Sequence, residues 1–69
     1  MWARRRRKVR LHMVDNQPSI EGFLLSREAG HYRLAVAELL EAPGRTHEVG
    51  EVMVPARRVA FYQLLGDGS

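Results

Sequence analysis

From Val9 onward, apolar side chains fall on every second residue: Val9, Leu11 and Met13 are separated by Arg10 and His12. This is the period of a strand with one face buried and one face wet. Asp15-Asn16-Gln17-Pro18 follows, with side chains that bond turn backbone and a proline that cannot donate to a ladder, so the chain is expected to reverse there. A second strand is read from Ser19 to Ser26, with Ile20, Gly22 and Leu24 on one face and Glu21, Phe23 and Leu25 on the other. Gly22 marks a place where a strand can bend sharply for barrel closure. Arg27-Glu28-Ala29-Gly30 makes the next turn.

The third segment carries two competing signals. Tyr32, Leu34 and Val36 alternate with Arg33, Ala35 and Ala37, yet Leu34 to Ala42 reads LAVAELLEA, rich in strong helix formers. An isolated helix shorter than about 12 residues is marginal, and the segments on both sides have strand periodicity. A strand over Tyr32 to Leu39 is therefore expected. Pro43-Gly44-Arg45 breaks the chain, Val52 and Val54 alternate with Glu51 and Met53 up to Pro55, and Val59, Phe61 and Gln63 alternate with Ala60, Tyr62 and Leu64. Pro55-Ala56-Arg57-Arg58 leaves room for one tight corner between these last two strands. The expected fold is all-β: a small five-stranded barrel over residues 9–65, a basic N-terminal arm over 1–8 and a flexible tail over 66–69.

Chain length changes the picture by limiting the core. At 69 residues there is one core, and domains below roughly 70–80 residues usually need disulfides, a metal or a neighbouring subunit for support. There is no cysteine. His12, His31 and His47 lack the short paired spacing of a structural zinc site, so no metal or cofactor is expected. Self-assembly or a protein partner remains. No apolar run is long enough to span a membrane, and the basic start leads into alternation rather than the apolar stretch of an export signal. The expected setting is a virion or the cytoplasm of a host cell.

Charge is unevenly placed. Arg4, Arg5, Arg6, Arg7 and Lys8 contribute +5, while the other six basic residues against eight acidic ones leave −2 over residues 9–69. A mildly acidic body thus carries a strongly basic arm. Each arm cation that neutralises a phosphate releases a counterion, and Trp2 offers a ring on which bases or guanidinium groups stack. Trp2, Arg4, Arg5, Arg6, Arg7 and Lys8 are accordingly the primary candidates for contact with DNA, RNA or an acidic protein surface; the bland alternative is a solvated extension. Ten of the eleven basic residues are arginine, a composition typical of high-GC genomes such as those of actinobacteria and their phages.

Five strands in about 55 residues, with a bend glycine in the second and a one-turn corner before the last, resemble the Sm-like (LSm) family of small SH3-type barrels. Val9 to Asn16 followed by Ile20-Glu21-Gly22-Phe23-Leu24 is similar to the first half of that family's first motif: a strand, an acidic turn, then apolar-x-Gly-x-Leu. Gly50 to Val54, a short corner and Val59 to Gln63 are similar to its second. The resemblance implies the barrel, and rings in which strand four of one subunit pairs with strand five of the next. It also implies where RNA reading would lie, and there the chain departs. The Asp-x-x-Met-Asn signature of Sm proteins that grip uridine-rich RNA is replaced by Glu28-Ala29-Gly30-His31-Tyr32, and the Arg-Gly corner pair by Pro55-Ala56.

His31, Tyr32 and Arg33 at a strand start, and Arg57 and Arg58 at the corner, are secondary contact candidates. The bland reading makes Tyr32 a packed barrel residue and the two arginines a solvated turn. Ser19, Ser26, His31 and Asp15 have no motif spacing that would make them a catalytic set, and the glycines form no phosphate-cradling pattern. The leading expectation is therefore a non-enzymatic assembly adaptor of a phage particle, at the portal, neck or capsid, acting as a homo-oligomer or docked copies through strand edges. The alternative is a ring-forming RNA-binding Sm-like regulator.

Overall fold

A computed structural model describes residues 7–65. The expectations for Trp2, Arg4, Arg5, Arg6 and the tail 66–69 lie outside the described residues. Five strands follow in chain order: β1 Arg7–Met13, β2 Ser19–Glu28, β3 His31–Ala42, β4 Arg45–Pro55 and β5 Val59–Leu64. Single 3-10 turns at Val14–Asn16 and Ala56–Arg58 lie between β1 and β2 and between β4 and β5. All pairings are antiparallel in the order β4-β3-β2-β1-β5, the small all-β barrel that the alternation predicts. β1 begins two residues earlier than the expected first strand, so Arg7 and Lys8 lie on the sheet.

The helix-forming segment is strand throughout. β3 is the longest element, and it is hydrogen-bonded on both sides, to β2 and to β4. Two ladders outweigh the intrinsic preference of Ala, Leu and Glu, which is a few tenths of a kcal/mol per residue.

One register expectation is corrected. Val36 does not share the inner face with Tyr32 and Leu34; it is 71% exposed, while Ala37 is buried. Phe23 pairs with Ala35 and Glu21 with Glu38, so β3 places Val36 and Ala37 opposite the single residue Gly22. This bulge inserts one residue and exchanges the faces beyond it. Val36 carries the distortion at φ +52.

The core consists of Val9, Leu11, Tyr32, Leu34, Ala37 and Val54, with Met13, Ile20, Leu24, Val52, Ala56 and Val59 packed around it. Leu11, Leu34 and Val9 are the largest fully buried side chains, each contributing about 1.5–3 kcal/mol from burial. β5 contributes little to this core: Val59 packs against it, and Ala60 to Leu64 are exposed, with Tyr62 meeting it at the edge of Tyr32.

Candidate assembly edges and nucleic-acid surface

The two edge strands differ in how they expose apolar area. In the β1–β5 register Leu11 faces Tyr62 and Val9 faces Leu64, so both β5 side chains lie on the inner face of the sheet. They are nonetheless 49% and 54% exposed, because no strand covers them on the far side. At the opposite edge, β4 is exposed from Arg45 to Glu51. Beside it lies an open groove of about 480 Å³ floored by Met13, Ile20, Val52 and Val54, with Arg57 and Arg58 also lining it. One edge thus presents apolar side chains and the other an apolar recess. Unpaired backbone donors and acceptors run along both.

The β2–β3 hairpin and the β4–β5 corner meet at one end of the barrel. Ala56 N–H donates to Gly30 O at 2.7 Å, and His31 pairs with Pro55. His31 Nδ1 lies 3.0 Å from Ala29 O. A carbonyl only accepts, so this nitrogen carries the proton and Nε2 of the neutral ring is left as an acceptor.

Alternation separates the neighbours of His31. Tyr32 is packed, edge-on to Tyr62 with ring centroids 6.0 Å apart, and the Arg27 guanidinium lies 5.2 Å from its centroid. Arg33 turns to the other face, where its Nε donates to Glu51 Oε2 at 2.7 Å. His31, Tyr32 and Arg33 therefore do not form one patch. Arg58 donates to Gln17 Oε1 at 3.0 Å, tying the corner to the β1–β2 turn, while Arg57 is exposed.

The residues weighed for catalysis are not assembled. Ser26 donates to Glu28 at 2.8 Å. Ser19 pairs with Leu40 and His31 with Glu28, which separates Ser19 from His31 by about 30 Å of strand. Asp15 lies in the turn after β1. Among the described residues no group of three or more His, Asp or Glu side chains could hold a metal ion, and no helix is long and apolar enough to cross a membrane.

A further group joins the sequence-derived candidate Lys8 to Arg10 and His12, which were not among the candidates. Lys8, Arg10 and His12 project from the outer face of β1, between Phe23 and Glu21 of β2 and Gln63 and Phe61 of β5. The His12 ring stacks on Phe61, centroids 4.4 Å apart and planes 15° from parallel, and its Nε2 donates to Gln63 Oε1 at 3.0 Å. Arg10 Nε donates to Glu21 Oε2 at 2.7 Å, and its Nη2 contacts the same oxygen. Lys8 Nζ is 5.9 Å from the Phe23 ring centroid. The outward set on β1 is legible in the alternation. Its aromatic cover is not, because Phe61 and Gln63 are distant in sequence.

No family model matches the sequence, and no curated protein matches it. Two solved structures are similar. A heptameric archaeal Sm protein, described with implications for the eukaryotic snRNP core, superposes with a TM-score of 0.75 at 23% identity over 87% of each chain. An Sm-protein heptamer of P. aerophilum gives 0.76 at 23% identity, over 87% of this chain and 80% of the other. At this identity the likeness is one of fold: the barrel is Sm-like.

Proposed function

Proceeding from an Sm-like barrel, we propose that this chain is a non-enzymatic, ring-forming RNA-binding protein. The observation that carries the reading is the pair of unlike edges: β5 exposes Tyr62 and Leu64 on the inner face, and β4 borders the recess floored by Met13, Ile20, Val52 and Val54. Unlike edges on opposite sides of one sheet make a head-to-tail contact, and such a contact closes into a ring when the rotation between copies permits. Added strand pairing would also supply the burial that the six-residue core lacks. Both neighbours are heptamers, and the snRNP core invoked for one of them is a ribonucleoprotein.

RNA would meet the end where the Gly30 and Ala56 turns join. His31 and Arg57 are the candidate contacts there, beside Glu28, which pairs with His31, with the basic run Arg4 to Lys8 as a salt-sensitive supplement. Replacement of the asparagine signature by Glu28 to Tyr32 implies a base preference different from that of uridine-gripping Sm proteins. The adaptor reading draws no support from either neighbour, and the RNA-binding alternative does.

Native mass spectrometry combined with single-stranded RNA titration at several salt concentrations tests the proposal. A closed homo-oligomer of six or seven copies that binds RNA after Arg4, Arg5 and Arg6 are replaced by alanine is the expected result. A monomer, or RNA binding that vanishes entirely with those three arginines, overturns it. The test spares Arg7 and Lys8 because they are part of β1.

A further inference from the structure

We infer that the outer face of β1 and β5 is a second nucleic-acid surface: a track on which single-stranded RNA runs along Lys8, Arg10 and His12 and stacks a base on Phe61. The inference rests on the RNA-binding reading and adds to it a site away from the joined turns.

Three observations carry it. Lys8, Arg10 and His12 alternate on one strand face, which spaces them about 6.7 Å apart, close to the phosphate step of an extended single strand. Phe61 is 60% exposed on this face and lies flat against His12. Gln63 holds the other edge of the imidazole, so the ring pair is a fixed platform; aromatic faces take any base, which makes such a platform tolerant of sequence.

The third observation is the way charge divides the sheet. Across the strands one row reads Gln63, Arg10, Glu21, Glu38 and Glu48, each paired with the next. Along this row the face is cationic or neutral over β1 and β5 and acidic over β2, β3 and β4, while further along the face Arg33 of β3 is neutralised by Glu51. A polyanion is therefore favoured on the β1–β5 half and directed along the strand instead of across this row. Glu21 marks the boundary, holding Arg10 in place and pairing with Lys8 Nζ at 4.0 Å. The basic run Arg4 to Lys8 leads in sequence directly into this strand, so the arm and the track form one continuous basic segment of chain. An acidic peptide would satisfy the cations but would leave the flat ring pair without a role.

Fluorescence anisotropy with labelled oligoadenylate and oligouridylate, on the full chain and with native mass recorded for each variant, tests the track. Phe61→Leu should weaken both ligands by about tenfold, as expected when one stacked base is lost. Lys8→Gln should lower the magnitude of the log–log salt slope by about 0.7, the value of one phosphate contact on a single strand. Phe61→Trp should keep affinity, and its added emission, taken against the wild-type Trp2 background, should be quenched on RNA binding. RNA that binds the Phe61→Trp protein without quenching, or affinity unchanged by Phe61→Leu, overturns the track while leaving RNA binding at the turns intact. A wild-type chain that binds neither oligonucleotide overturns the RNA-binding reading and the track with it.

Discussion

A Cβ atom built on Gly22 would lie 3.1 Å from Ala37 Cα, 3.2 Å from Ala37 Cβ and 3.1 Å from Ala35 O. The backbone of β3, at the bulge opposite Gly22, thus passes so close that a methyl group there would force it to give by a few tenths of an ångström. Gly22→Ala should destabilise the barrel by about 1–3 kcal/mol, the usual cost of overpacking, and Gly22→Val by more. Urea unfolding followed by circular dichroism checks the order; equal stability of Gly22→Ala and wild type would contradict the close approach.

Val36 holds a left-handed backbone at φ +52 while 71% exposed. A β-branched residue pays about 1–2 kcal/mol for that conformation and recovers little from burial. Glycine there should therefore raise stability by about 1 kcal/mol, which for a domain of this size is roughly 4–8 °C in Tm. Ala29, at φ +49 beside Gly30 in a two-residue hairpin, should respond in the same direction to Ala29→Asn, since Asn-Gly suits that turn. Thermal melts of the two variants decide the matter.

Leu34 is fully buried and packs at the centre of the core. Leu34→Ala should cost about 2–5 kcal/mol, a large share of what so small a core supplies. The expected outcome is a chain that loses its cooperative thermal transition at room temperature in dilute solution, measured by calorimetry.

Tyr62 should behave in the opposite way. It is half-exposed on the edge strand, so Tyr62→Glu should leave the β-sheet circular dichroism of the subunit in place. In the proposed ring it should weaken subunit association by about 30-fold or more, the scale of an interface hot spot. Sedimentation velocity across a dilution series checks this: dissociation at concentrations where wild type stays assembled is expected.

The Arg33–Glu51 pair on the outer face should contribute little. Its side chains are 44% and 52% exposed, and exposed pairs typically couple by about 0.2–1 kcal/mol. A double-mutant cycle with Arg33→Gln and Glu51→Gln should return a value in that range that shrinks with added salt.

The existence of five strands and most of the inner face were readable from period-two hydrophobicity, because alternation is a local property of each strand. The turns were read from Gly, Pro, Asp and Asn, β3 needed the context of its neighbours, and the exposed first half of β4, from Arg45 to Gly50, showed no such alternation. Val9, Leu11, Tyr32, Leu34 and Val54 follow the alternation directly. The basic segment was readable for the same reason, as were the departures from the RNA-reading signature at Glu28 to Tyr32. What the residues by themselves could not decide are the relations made between strands. The phase change that puts Val36 outside and Ala37 inside depends on β3 meeting Gly22. Alternation already parts Arg33 from Tyr32, but their partners, Glu51 for one and Tyr62 for the other, are set only on the sheet. The stack of His12 on Phe61 needs the chain's last strand to return beside its first, a contact across most of the sequence that no local pattern encodes. Local periodicity sets which way a side chain points; only the order of the strands in the sheet sets what it meets.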